Sequence, residues 1–287
     1  MRQVEECTIG IIGLGLMGGA FAIALRNCGA ARQGAILALD RDRKTLDTAI
    51  AEGIIDEGFE NPESMLPRCD LVFLCLNPSA LIGRLAGWMP LFRTGCIVTD
   101  IAGIKGGITA ALEKNLRGDI DFIPGHPMAG AEKWGFANSK LCNFRGKNYI
   151  LTPLARNRAE NLAFLKDLIR RMGFGRITEV SAEEHDRKIA FTSQLCHVIA
   201  AALIDCEADT EISRFGGGSF EDLTRIAMLN APMWTEIFIE NKNELLKRIE
   251  QFEGSLDALK NLIAGGEAAG LEKRLDAVRA RRARMSG

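Results

Sequence analysis

Apolar residues are spaced in two different ways along this chain. Up to about residue 180 they come in short runs, each closed by glycine, proline, asparagine or an acid. TIGII (Thr8–Ile12), ILALD (Ile36–Asp40), LVFLCLNP (Leu71–Pro78), CIVTDIAG (Cys96–Gly103), DFIPGHP (Asp121–Pro127), NYILTP (Asn148–Pro153) and RITEV (Arg176–Val180) are such runs. Runs apolar on both faces fit buried parallel strands. After Val180 the spacing becomes helical. Ser181-Ala182-Glu183-Glu184 has the form of a capping box. The segment Lys188–Ala208 is long and mostly apolar, but too polar in its first half for a membrane span; a core helix is expected. GGGS (Gly216–Ser219) breaks the pattern, and from Met233 to about Ile263 apolar residues recur at Ile237, Leu245, Ile249, Phe252, Leu256 and Leu259. That spacing predicts one or two amphipathic helices.

The first run leads into glycines. Gly13, Gly15 and Gly18 form a GxGxxG between the TIGII strand and the helix-like stretch AFAIALRNCG. In that context the first glycine permits a tight turn, the second a close approach of pyrophosphate, and the third close packing of helix on strand. Leu16 and Met17 begin the helix, whose free N–H groups would face the phosphates. Asp40 ends the second strand, 22 residues after Gly18. A carboxylate there accepts the ribose hydroxyls of NAD and repels the 2′-phosphate of NADP. Arg41 and Arg43 are the argument for NADP; the placement of Asp40 outweighs them, and NAD is expected. The chain therefore reads as an α/β protein. A Rossmann-type dinucleotide-binding domain over residues 1–180 precedes an all-helical domain over residues 181–287. Ligands of open α/β sheets bind beyond the carboxyl ends of the strands. Asn77, Asp100 and His126 are thus expected on one rim, near the nicotinamide.

Composition narrows the function classes. The 287 residues are 47% apolar and 25% charged with net charge −1, so no basic field favours nucleic acid or anionic lipid. The basic end RLDAVRARRARMSG lacks interleaved aromatics and reads as a solvated helix terminus. Eight scattered cysteines without a CxxC pair point to reduced thiols in a cytoplasmic protein, not to disulfides or zinc. Glu5 and Glu6 precede the apolar stretch 9–25, where a signal peptide would carry basic residues. The apolar helical segment predicts a homodimer.

The chain holds three histidines, His126, His185 and His197. Oxidising an alcohol requires removal of a hydroxyl proton as hydride leaves, a task suited to neutral imidazole near pH 7. His126, in GHPMAGAEKWGFANS at a strand end, is the best placed by position. No HxxxH or histidine–carboxylate cluster suggests a metal.

Several segments, in order, resemble the prephenate dehydrogenase family and its arogenate-using relatives, over roughly residues 8 to 250. GLGLMGGAFA resembles the family's opening loop, VTDIAGIK its VTD-x-x-S-x-K segment, and GHPMAGAEKWG its GxHPxAGxExxG loop. EEHDRKIAFTSQLCH resembles the HD…S-x-L-P-H helix, and GGGSFEDLTRIAMLNAPMWTEIFIENK the GGGFxDxTRIA block. The resemblance implies oxidation of prephenate to 4-hydroxyphenylpyruvate with loss of CO2. It makes His126 the group that assists deprotonation of the ring hydroxyl, and Arg225 the carboxylate anchor. It places Ser193, His197 and His185 at or near the substrate pocket.

The chain departs from the family at three positions, and its GGGSFED has one residue more than the common GGGFxD. Gly103 stands where the family has the serine that bridges histidine and substrate hydroxyl. Cys196 replaces the proline of LPH, and Gln194 a histidine. These departures keep arogenate preference, and a non-catalytic dinucleotide-binding sensor, as alternatives. A related reductase or β-hydroxyacid dehydrogenase fits GHPMAG and TRIA less well. Neither a chorismate mutase segment nor an ACT-type domain is recognised, so a monofunctional enzyme is expected.

Overall fold

The chain, described over residues 3–285 in a computed structural model, turns most of the apolar runs into strands. Strands β1 (Thr8–Ile12), β2 (Ala35–Leu39), β3 (Glu57–Phe59), β4 (Leu71–Leu74), β5 (Ile97–Asp100) and β6 (Asp121–Phe122) form a parallel sheet. Its order is β3-β2-β1-β4-β5-β6. Winding reverses between β1 and β4, which creates the crevice where α/β sheets take their ligands. Helices α1 (Leu16–Asn27), α2 (Arg43–Ala51), α3 (Pro62–Met65), α4 (Pro78–Trp88) and α5 (Gly106–Asn115) connect these strands. Both sheet faces are covered. Leu71 and Phe73 of β4 enter one apolar cluster while Val72 and Leu74 enter the other, the two-residue alternation of a strand buried on both sides.

Two features differ from the sequence expectation. The edge strand β3 is too short, with a single large apolar residue, to show in the pattern. The run DFIPGHP is not one strand but two. β6 ends at Phe122, and β7 (Gly125–Pro127) belongs to a second sheet with β8 (Asn148–Leu151) and β9 (Arg176–Glu179), in the order β7-β8-β9. Pro124 lies at the switch. It has no N–H for the first ladder, and its carbonyl accepts from Thr152 N at 3.0 Å, after Ile123 N has made the last bond to Val98 O at 2.8 Å. β7 runs antiparallel to β8, setting His126 opposite Ile150, and α6 (Ala159–Arg171) crosses between the parallel β8 and β9.

The helical segment begins at the expected cap. Ser181 Oγ accepts from Glu184 N at 3.1 Å, and α7 (Ala182–Ile189) runs through a π-turn (Ala190–Gln194) into α8 (Leu195–Asp205). The helix Ala182–Asp205 is long and apolar enough to cross a membrane by length and composition alone. Its His185, Asp186 and Gln194 are nevertheless engaged in side-chain hydrogen bonds with other elements. Helices α9 (Gly218–Thr224), α10 (Ala231–Glu240), α11 (Lys242–Ala264) and α12 (Ala268–Arg284) follow.

The chain divides into two compact units, Met1–Asn241 and Lys242–Gly287. The change from strands to helices thus falls at residues 180–181, but the first unit runs on through α10. Polar bonds account for this. Asp186 on α7 accepts the N–H groups of Lys105 and Gly106, and Asn241 at the end of α10 donates to the Asp186 carbonyl. In the second unit α11 and α12 are joined by a turn through Gly266, whose φ is +64°.

Phe21 of α1 is fully buried, with ring centroids of Phe73 and Phe144 each 5.2 Å away. Phe21→Ala is expected to lower the unfolding free energy by about 3–5 kcal/mol. Urea denaturation followed by circular dichroism measures this; a loss below about 1 kcal/mol would show that the cluster collapses into the space.

Candidate active site

The glycine-rich turn has the geometry its spacing implies. Gly13 has φ +89°, and a Cβ there would lie 2.6 Å from the Cys75 carbonyl oxygen. A Cβ on Gly18 would sit 1.9 Å from the Gly13 carbonyl oxygen, so any side chain would push α1 off the turn. Gly15 is different. A Cβ there meets nothing within 4 Å, and Gly15 caps α1 without a side-chain bond. The first and third glycines permit the turn and the packing, and the second leaves an open approach to the N–H groups at the start of α1. Half-buried Leu16 and Met17 provide that start. This cradle suits a pyrophosphate.

Asp40 stands at the carboxyl end of β2. Its Oδ2 accepts from Leu14 N at 2.6 Å and its Oδ1 from Asp42 N at 3.0 Å, so the acid expected near a ribose also clamps the glycine loop. Asn77 caps α4 and is exposed beyond β4, as a rim residue should be. Asp100 departs from expectation. It is fully buried, forms an ion pair with fully buried Lys105, and accepts from Ala102 N at 2.9 Å and Gly125 N at 3.2 Å. It is a structural anchor, not a cofactor ligand, because a buried lysine needs a counter-charge and takes this one.

His126 lies on β7 beside that anchor. Its Nδ1 is 2.9 Å from His185 Nε2, and His185 Nδ1 is 2.7 Å from Asp186 Oδ1. His185 is fully buried behind the His126 ring. Burial, the neighbouring His185 and the charge of Lys105 together hold His126 well below the usual histidine range. Burial likewise lowers His185, against the pull of Asp186. On the other side of the His126 ring, a Cβ built on Gly103 would lie 3.7 Å from Nε2 and 3.8 Å from Ile237 Cδ1.

A second group of residues lies along α8 and α10. His197 stacks on Trp234 with centroids 3.7 Å apart, and its Nδ1 donates to the Ser193 carbonyl at 2.9 Å. Its Nε2 is thereby left as an acceptor, and burial lowers its pKa. Ser193 is bonded to His197 through its carbonyl. Arg225, in the turn after α9, pairs with Glu132 from the loop after β7, and both charges act on His197. Trp234 and Ile237 are one turn apart on α10, about 4.5 Å along its axis. Gly103, beside the His126 ring, and His197 therefore face the same stretch of α10. Sequence reasoning assigns no role to Lys105, Glu132, Asp186 or Trp234. Asp186 and Lys105 fall within the HD and VTD-x-x-S-x-K motifs, but the pattern alone gives neither a partner.

Comparison with known proteins agrees along the whole chain. The family described as prephenate dehydrogenase, nucleotide-binding domain, matches residues 21–178, and prephenate dehydrogenase, dimerization domain, matches residues 181–277. A cyclohexadienyl dehydrogenase of Zymomonas mobilis is 33% identical over 262 residues, covering 89% of this chain and 88% of that protein. A prephenate dehydrogenase of Bacillus subtilis is 28% identical over 280 residues, covering 94% and 74%. Among solved structures, prephenate dehydrogenase from A. aeolicus in complex with hydroxyphenyl propionate and NAD+ superposes with a TM-score of 0.86 at 31% identity, covering 100% of this chain and 99% of that one. Synechocystis arogenate dehydrogenase superposes at 0.79 with 27% identity, covering 97% and 99%. With two domain matches that together span most of its length and a relative at 33% identity, the chain belongs to the prephenate dehydrogenase family.

Proposed function

We propose that this chain catalyses the NAD-dependent oxidative decarboxylation of prephenate to 4-hydroxyphenylpyruvate, a step of tyrosine biosynthesis. The observation that carries the reading is His126: a neutral imidazole beside the open Gly103 edge, where Gly103 and His197 both face α10. Gly13, Gly15, Leu16, Met17 and Gly18 would hold the pyrophosphate, with Asp40 toward the adenosine ribose and Asn77 on the nicotinamide side. When bound, NAD supplies the acceptor for the ring hydride. Asp40 favours NAD over NADP, and Arg43 supports that choice because it is turned to Asp47 at 2.9 Å.

The chain's own residues account for the rest. His126 Nε2 takes the proton of the ring hydroxyl as the carbinol carbon is oxidised. The ring carboxylate leaves as CO2, its bonding pair completes the aromatic ring, and the proton returns to the phenolate oxygen. Arg225 binds a substrate carboxylate through two parallel hydrogen bonds. Its pairing with Glu132 is exposed, worth roughly 0–1 kcal/mol, and a dianionic substrate displaces it. His197, held against Trp234, presents Nε2, and Ser193 lies one turn earlier. Glu132 is also the observation favouring a second reading. A carboxylate beside the anchor suits the side-chain ammonium of arogenate.

Two copies are proposed to pair through the helical segment. The family description is of a dimerization domain, and Phe191, Leu203, Ile204 and Phe215 are exposed there. We place the enzyme in the cytoplasm, supported by cysteines that form no disulfide among the described residues.

NADH formation with purified protein, offered prephenate and arogenate separately, tests the assignment. Turnover of prephenate is expected, and His126→Ala should lower kcat by about 10²–10⁴ while NAD binding persists. Because the base must be unprotonated and its pKa is depressed, kcat should stay level through neutral pH and fall only below the ordinary histidine range. Unchanged turnover in His126→Ala would refute the role. A Cβ fits at Gly103, but the hydroxyl of Gly103→Ser would compete with the substrate's own hydroxyl for Nε2 and should lower kcat about 2- to 10-fold. A rise in rate would show instead that a relay hydroxyl is missing there.

A further inference from the structure

His126 has two ring nitrogens, and only Nε2 faces the open edge at Gly103. Resting on the function proposed above, we propose that Asp186 is a positioning residue for His126. Acting through His185, it fixes the proton on His126 Nδ1 and so leaves Nε2 as the base.

A chain of hydrogen bonds runs outward from Asp186. Its Oδ1 accepts from Lys105 N at 2.9 Å and its Oδ2 from Gly106 N at 2.8 Å. Both carboxylate oxygens thus already accept a backbone N–H at the start of α5, and the group serves as an acceptor toward His185 as well. His185 Nδ1, 2.7 Å from Oδ1, must therefore carry a hydrogen. His185 is fully buried and Lys105 opposes a second positive charge nearby, so the ring is neutral and its Nε2 is a lone pair. That lone pair faces His126 Nδ1 at 2.9 Å, which must then be the donor. A neutral His126 with hydrogen on Nδ1 has its lone pair on Nε2.

Each link forces the next. The alternative, a doubly protonated His185 between Asp186 and His126, would reverse the last bond. It would put hydrogen on His126 Nε2 and remove the base. The Asp186 carbonyl is also held, by Asn241 Nδ2 at 3.0 Å, and Asn241 donates to Gln194 Oε1 at 2.8 Å. The positioning residue is thus fixed from both sides of the site.

The chain's three histidines make the proton positions readable by NMR. In the native full-length protein labelled with ¹⁵N-histidine, two-bond ¹H–¹⁵N correlations distinguish protonated from bare ring nitrogens. His197→Gln identifies one set of signals. Hydrogen on Nδ1 and a bare Nε2 are expected for both His126 and His185. Hydrogen on His126 Nε2, or a doubly protonated His185 at neutral pH, would overturn the proposal without any variant. Asp186→Asn should then populate the other His126 tautomer and lower kcat by roughly 10²-fold, the lower end of what a positioned general base contributes, with KM for NAD unchanged. His185→Asn breaks the same chain without touching the Lys105 and Gly106 bonds, and the same pair of effects is expected. If both variants keep the native His126 tautomer and kcat, the proposal fails. The tautomer measurement needs no substrate, so an absence of prephenate turnover would count against the assigned reaction and leave this inference to be judged by NMR.

Discussion

The buried pair of Lys105 and Asp100 is the constraint around which the site is built. Both side chains are fully enclosed. A lysine ammonium without a partner at such a depth would be strongly unfavourable; breaking a buried pair by removing one member destabilises by about 3–5 kcal/mol. The pair fixes the segment between β5 and α5, which carries Gly103. Through Asp100 it also takes the N–H of Gly125, the residue before His126. One charge pair therefore sets both sides of His126: the strand that bears it and the open edge it faces. The Lys105 charge reaches further, because it disfavours protonation of both His126 and His185. Stability and protonation state come from the same ammonium.

A second constraint holds the helical segment onto this centre. His185 and His197 are twelve residues apart. On a regular α-helix that spacing rotates one about 120° from the other. The π-turn Ala190–Gln194 lies between them. Such a turn absorbs one residue, and eleven α-helical steps leave an offset of only about 20°. The helix can therefore supply one histidine behind His126 and a second to the substrate side from nearly one face. The Asn241–Gln194 bond sits at this turn.

Much of this was legible in the sequence where a residue type has a single physical use. Gly13 and Gly18 are required by a positive φ and a close backbone approach, and their spacing says so. The capping serine, the strand-end Asp40 and the histidine before a proline are of the same kind. What was not legible depends on partners distant in sequence. Asp100 resembles a rim acid until Lys105 is seen to neutralise it. DFIPGHP has the composition of one strand, and only the competition between two ladders shows where it divides. Glu132 and Trp234 acquire roles through Arg225 and His197, more than ninety and thirty residues away respectively. The compact unit reaches Asn241 because of polar bonds from Asp186, which no apolar pattern records.

Gly103 is the position where sequence and structure are most informative together. By resemblance, its lack of a hydroxyl suggests a weakened relay. In the fold, the His126 ring does not depend on that hydroxyl for its orientation. The backbone of His126 is paired with Ile150 in the ladder, and its ring is hydrogen-bonded from behind by His185, so Nε2 needs no second protein partner to be aimed. A glycine there leaves an opening bounded by Nε2 and Ile237, with ordinary van der Waals room for one added atom. In the reaction proposed, the substrate's own hydroxyl is the group of that size and polarity that would come to Nε2. Loss of the serine is thus compatible with direct proton transfer, provided the ring is held from behind.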